Sequence, residues 1–158
     1  TQGEILYRSP QLCEGYWNKP EATEEAFRDG WFHSGDLVTQ DEEGFVWVVD
    51  RVKDMIISGG ENIYCAELEN VIADHPAVAE VAVIGRTDER WGQVPVAHVT
   101  LVPGAALTLD ELTTSLEGRI ASFKLPKDLV VIDEMPRNAG GKIVKGTLRT
   151  QDKDRVLA

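Results

Sequence analysis

The chain is poor in cysteine and in basic residues, and it has no long apolar run. Its two cysteines, Cys13 and Cys65, are too few and too far apart for a disulfide framework or a cysteine-rich metal site. Reduced thiols in a cytoplasmic protein are therefore the expected state. Sixteen Lys and Arg face 27 Asp and Glu, a formal net charge of -11. Non-specific nucleic-acid binding needs a basic footprint, which this balance excludes. No apolar stretch approaches the ~20 residues of a membrane span, so any membrane contact is expected to be peripheral. No signal-peptide pattern opens the chain, and it contains neither an internal repeat nor a low-complexity tract. The first residues, Thr1-Gln2-Gly3, include no Met and read as the middle of a strand. An excised or truncated piece of a larger protein is the expectation. With 158 residues, 42% hydrophobic and 27% charged, the composition is that of a soluble globular protein. The length suits one domain, or a small domain plus part of another.

What the chain does have is organised around Asp50-Arg51-Val52-Lys53-Asp54 and the Met55-Ile56-Ile57-Ser58-Gly59-Gly60-Glu61-Asn62 that follows. Four charges in five residues predict a solvated connection. Paired glycines predict a tight turn or a close approach of a ligand to the main chain. Before this stretch, residues 3–8, 31–39 and 45–49 read as strands, with Asp41 to Gly44 as a hairpin turn and Thr23 as the N-cap of one helical turn. These strands are too few to make a core of their own. After it come a helix over 66–74, a strand over 78–84 whose apolar run predicts burial on both faces, and a second strand over 94–102. Thr108 and Glu111 form a capping box. The helix they open is expected to carry Leu109, Leu112, Leu116 and Ile120 on one face, with Gly118 inside it. A strand over 129–132, a Gly140-Gly141-Lys142 loop and a short helix over 147–153 complete the pattern. The predicted class is α+β, a small mixed sheet with helices. From Pro136 to Arg149 there are four bases, Arg137, Lys142, Lys145 and Arg149, and no acid. Composition alone reads this equally as a site for an anionic ligand or as a solvated tail.

Three separated strings then fall into order: Gly30-Trp31-Phe32-His33-Ser34-Gly35-Asp36, then Asp50 through Asn62 to Ala66-Glu67-Leu68-Glu69, then Pro136-Arg137-Asn138-Ala139-Gly140-Gly141-Lys142-Ile143. With Gly3-Glu4-Ile5 and Gly15-Tyr16-Trp17 to Thr23, they resemble the C-terminal third of the acyl-CoA synthetase, adenylation-domain and luciferase superfamily, over nearly the whole chain. The wording from Lys53 to Asn62 looks most like the fatty-acyl-CoA synthetase branch. The resemblance implies that residues 1–50 end a large N-terminal AMP-binding domain, as a β-rich remnant. It makes residues 51–158 a mobile C-terminal domain, with the hinge at 50–54. It implies a two-step ligase: a carboxylic acid, expected to be a fatty acid, and ATP with Mg2+ give an acyl-adenylate, from which coenzyme A displaces AMP. The rest of the large domain would hold the phosphate loop and the acyl pocket. The fragment alone is then expected to be inactive and to bind no cofactor tightly.

Residue roles follow by position. Asp36 matches the ribose-binding Asp and Arg51 the nucleotide-contacting Arg; read alone, these are a turn Asp and a surface ion-pair partner. Lys53 matches the hinge, and otherwise is a solvated Lys. Gly59, Gly60 and Glu61 match the loop lining the pantetheine channel. Arg90 and Lys124 are lesser candidates for the phosphates of coenzyme A, with plain exposure as the competing reading. Lys142 matches the catalytic Lys. No residue is assigned to a metal. Three departures stand out: Ser34 where Thr is usual, Asn138 where Thr or Ser is common, and Cys65 for a frequent Pro, a change expected to remove only local stiffness. Two rival readings share the motifs: an adenylation domain that loads a carrier protein, and a non-catalytic stand-alone interaction module.

Overall fold

A computed structural model describes residues 1–157 as two compact units, Thr1–Lys53 and Asp54 onward. The first unit is an antiparallel sheet with one helix. Its strands are β1 (Gln2–Tyr7), β2 (Phe27–Arg28), β3 (Trp31–Gln40) and β4 (Val46–Arg51), and β3 pairs with all three others. Helix α1 (Pro20–Ala26) begins with Pro20 at its first turn, where a missing N–H costs nothing. Thr23 is therefore not the N-cap the sequence predicts. It lies within the helix, where its hydroxyl donates to the Lys19 carbonyl and accepts from the Tyr16 N–H. Of these 53 residues only Val38 and Asp50 are buried, while Phe45, Trp47 and Val48 are more than half exposed.

The second unit has a closed core. Strands β5 (Ile56–Ser58) and β6 (Glu61–Ile63) form a hairpin, followed by α2 (Cys65–Ala73), β7 (Val78–Asp88), β8 (Gly92–Leu101), α3 (Leu109–Leu116), β9 (Asp128–Val131) and α4 (Lys145–Leu157). The sheet is mixed: β8 pairs antiparallel with β7 and β5, and parallel with β9. Alternation along the central strands sends side chains to two faces. Val83, Ala97 and Val99 pack with Leu68, Ile72, Leu112 and Leu116 of α2 and α3. Ala82, Ile84 and Val96 pack with Met135 and Leu148, on the side of α4. This two-sided burial is what the near-continuous apolar run of β7 predicts. Strand β7 ends the sheet, so its outward Val83 N–H has no ladder partner, and Glu69 of α2 accepts it at 2.7 Å.

Several expectations need correction. The capping box at Thr108 forms, but α3 ends at Leu116. Gly118 lies beyond it at φ +74°, a left-handed conformation that glycine adopts without strain. Helix α4 runs well past the predicted 147–153. The charged connection is not uniformly solvated: Asp50 is buried, accepting from the Arg51 N–H at 2.7 Å, and Asp54 is bound by Arg149 at 2.6 Å. Cys65 does more than replace a stiff residue. It is fully buried, and its Sγ donates to the Asp54 carbonyl.

Candidate functional site

In the first unit the structure brings Asp36 and Arg51 together. They are register partners on β3 and β4, and Arg51 Nε lies 2.7 Å from Asp36 Oδ1. Both side chains keep solvent access, 28% for Asp36 and 54% for Arg51. A carboxylate beside a planar guanidinium offers acceptors to vicinal hydroxyls and donors to phosphate or ribose oxygens. Arg51 also lines a cleft of about 410 Å³, with Glu4, Tyr16, Arg28, His33 and Lys53 among its other walls. Lys53 is exposed and is the last residue of this unit. The Ser34 hydroxyl, retained where Thr is usual, donates to the Ile5 carbonyl at 2.7 Å and accepts from the Asp36 N–H at 3.0 Å.

In the second unit the Ser58-Gly59-Gly60-Glu61 turn joins β5 to β6, with Gly59 at φ +59° and Gly60 at φ +90°. Gly59 is pressed against Trp91: its N–H donates to the Trp91 carbonyl at 2.8 Å, and a Cβ there would stand 2.9 Å from the indole ring. Asp88 Oδ1 accepts from the N–H groups of Arg90 and Trp91 and so shapes the β7–β8 turn that presents the indole. The Arg90 guanidinium stacks on the Trp91 ring at 4.7 Å. Gly59, Trp91 and Arg90 thus form one layered wall, with Gly60 and Glu61 exposed beside it. Sequence reasoning named Gly59 and Arg90 separately and missed Trp91, which joins them. The available signal was a large aromatic in a two-strand turn, where no core awaits it. Lys124 does not belong to this wall as an exposed base. It is 18% exposed and held by both carboxylate oxygens of Glu67, at 2.6 and 2.7 Å.

Lys142 sits on a tight loop between Arg137 and Ile143, which bridge as an antiparallel pair. Asn138 organises the loop. Its Oδ1 accepts from the N–H groups of Gly140 and Lys142, each at 3.0 Å, and its backbone bonds both Lys142 and Gly141. The departure at this position is therefore a loop-building residue. The basic run around it is largely neutralised. Arg137 pairs with Glu80, Lys145 with Glu69 at 2.7 Å, and Arg149 with Asp54. Of the four bases, Lys142 alone has an ammonium without a hydrogen-bond or ion-pair partner among the described residues, and it is exposed. The two candidate regions of this unit hang from opposite ends of β7, since Arg137 is tied to Glu80 and Trp91 to Asp88. The eight residue steps from Glu80 to Asp88 span about 26 Å of strand. Among the described residues no three His, Cys, Asp or Glu side chains gather to hold a metal. No helix among them is long and apolar enough to cross a membrane.

Comparison with known proteins gives this geometry a family. Residues 67–142 match the AMP-binding enzyme C-terminal domain. Indoleacetate–CoA ligase of Aromatoleum aromaticum is 52% identical over 147 residues, covering 93% of this chain and 29% of its own length. The structure of o-succinylbenzoate CoA synthetase from Bacillus subtilis, in complex with its acyl-adenylate intermediate, superposes with a TM-score of 0.83 at 44% identity, over 94% of this chain and 30% of that one. Mycobacterium tuberculosis fatty acyl CoA synthetase superposes with a TM-score of 0.66 at 46% identity, over 95% of this chain and 30% of that one. The chain spans about three tenths of the length of the relatives it matches. Residues 67–142 are thus an AMP-binding enzyme C-terminal domain, and the chain's relatives are CoA ligases of the adenylate-forming superfamily, which it matches in their C-terminal part.

Proposed function

We propose that this chain supplies the nucleotide-side and coenzyme-side surfaces of an ATP-dependent acyl-CoA ligase, with Lys142 as the catalytic cation of the adenylate-forming step. The observation that carries this reading is the state of Lys142. Its neighbouring bases are each bound to an acid, while its own ammonium stands unpaired on a loop pinned by Asn138. Two anions, the carboxylate of the acid and the α-phosphate, must be forced together when an acyl-adenylate forms. A preorganised ammonium lowers that barrier, and losing one such contact costs roughly 10²–10³ in rate. Asp36 and Arg51 are the ribose and nucleotide contacts. Gly59, Gly60 and Glu61, with Trp91 and Arg90, are the wall along which coenzyme A passes. Lys53 is the pivot, between a large domain ending near residue 50 and a mobile domain from residue 51. Rotation about such a pivot exposes each end of the mobile unit in turn. Mg2+ accompanying ATP finds no ligand cluster among the described residues; its ligands would be phosphates and groups outside them.

The acid is a carboxylic acid with an apolar or aryl body. The relatives' names support that range, from indoleacetate and succinylbenzoate to fatty acyl groups. The fatty-acid expectation stands within it as one member of a panel to be assayed. The decisive experiment uses Lys142→Ala in the full-length enzyme that carries this chain, with the two half-reactions measured apart. Adenylate formation should fall by roughly 10²–10³, while thioester formation from supplied acyl-adenylate and coenzyme A stays near the parent rate. Equal losses in both steps would sink the assignment.

A further inference from the structure

Strand β3 is irregular where it carries Asp36. Against β1, the register runs from Glu4 opposite Leu37 to Leu6 opposite His33, so Ser34, Gly35 and Asp36 all face the single residue Ile5. A second irregularity, between Leu37 and Val38, breaks the pairing with β4. Such a bulge re-aims a side chain at the cost of ladder hydrogen bonds. Two side chains and one backbone bond replace them here. Glu4 Oε1 accepts from the Gly35 N–H at 2.9 Å, the Ser34 hydroxyl takes the Asp36 N–H, and the Gly35 carbonyl accepts from the Val52 N–H at 2.8 Å. Gly35 sits at φ +72°, in the left-handed region, so the bulge has a defined and demanding backbone.

The other oxygen of Glu4 is tied as well. Glu4 Oε2 lies 3.0 Å from His33 Nδ1, which is also 2.9 Å from Arg28 Nη2. One ring nitrogen serves one of these at a time: protonated it donates to Glu4, bare it accepts from Arg28. In either state Glu4 keeps a cation nearby, for Arg28 stands 3.8 Å away. The carboxyl is held below its usual range, first by the His33 hydrogen bond and then, against partial burial, by the Gly35 N–H. An ionised, doubly anchored carboxylate therefore grips the bulge one residue before Asp36.

We propose that Glu4 is a positioning residue for the nucleotide: by clasping Gly35 it fixes the β3 bulge that aims Asp36 at the ribose hydroxyls. This rests on the reading of Asp36 as the ribose contact. The test compares ATP with 2′-deoxy-ATP in the adenylate-forming step of the full-length enzyme that carries this chain. The parent enzyme should prefer ATP, and Asp36→Ala should erase the preference. Glu4→Ala should shrink the preference by about tenfold and raise KM for ATP by about as much, the scale of one lost charge-assisted hydrogen bond. KM for the acid and for coenzyme A should not change, which a general disturbance of the fold would not spare. Glu4→Gln retains an acceptor for Gly35 and should restore most of the preference. Should Glu4→Ala fail to fold, Glu4→Asp, one methylene short of Gly35, should give a partial loss of preference. If Asp36→Ala erases the preference but the Glu4 variants keep it whole, the positioning role is overturned and the ribose contact stands. If Asp36→Ala leaves the preference intact, the ribose reading falls and the role of Glu4 with it.

Discussion

At the scale of single residues, the second unit owes much of its specificity to charges far apart in sequence. Asp152, 3% exposed, accepts two hydrogen bonds from Arg86, at 2.6 and 2.7 Å. Arg86 and Arg155 also reach Asp128, and His98, 2% exposed, lies 3.8 Å from Asp152. Burial pushes the His98 pKa below its ordinary 6.5; the Asp152 charge opposes this, and Arg155 and Arg86 add to it. Burial resists ionisation of Asp152, but the Arg86 hydrogen bonds outweigh it, so that carboxyl too is held low. A lowered pKa gives stability that is present above the unfolded value and lost as pH falls through the folded one. Two acid-side losses are therefore expected in thermal unfolding of this chain. The His98 loss begins near pH 6.5, with a slope of up to about 1.4 kcal/mol per pH unit; the Asp152 loss begins near pH 4, together with that of Asp128, whose carboxyl burial would raise but the Arg155 and Arg86 hydrogen bonds hold low. His98→Gln should flatten the first and leave the second, and a first slope that survives the substitution would contradict this account. None of this cluster was legible in the sequence. Arg86 and Asp152 are 66 positions apart, and no local pattern marks two charges that meet across a sheet. The same blindness made Arg137, Lys145 and Arg149 look like a free basic patch, when each is matched by an acid from a distant element.

At the scale of elements, local chemistry was readable wherever it is sufficient. The capping box is written in Thr108 and Glu111 and needs no partner, and it forms as predicted. Burial of β7 on both faces is written in its near-continuous apolar run, broken only by Glu80 between Val78 and Ile84. Where an element ends was harder to read. Leu116 and Ile120 both face the core and so extend a helical period across Gly118, yet the left-handed glycine breaks the helix between them. The bulge in β3 was invisible, because its cause is a carboxylate on another strand. The glycine pair of the β5–β6 turn tests how far such environments decide tolerance. Alanine at Gly60 meets nothing within 4 Å and bears only the left-handed backbone, about 1–2 kcal/mol. Alanine at Gly59 bears that strain and also drives a methyl group against Trp91. Denaturant unfolding should therefore rank Gly59→Ala clearly below Gly60→Ala. Equal stabilities would show that the indole moves aside freely, and the wall assigned to coenzyme A would lose its rigidity.

At the scale of the whole molecule, the two units differ in kind. The second closes a core on both faces of its sheet, while the first buries two residues and leaves Trp47 and Val48 over half exposed. Amide hydrogens of residues 1–53 should exchange faster than those of the β7–β8 pair, as sparse burial implies. Mass-spectrometric exchange with equal protection in both would overturn that contrast. The sequence strings from both units fitted one superfamily because each string is local. Their cooperation was not legible, since it depends on where a long strand puts its ends. Strand β7 carries the Lys142 loop from Glu80 and the Trp91 turn from Asp88. A rod with a different tool at each tip can offer one tool at a time to a fixed place. On the proposed reading, the length of β7 converts distance into sequence in time: the cation that makes the adenylate must leave before the thiol's corridor can arrive. The order of the two steps would then be enforced by a span of backbone, whatever the affinities of the ligands.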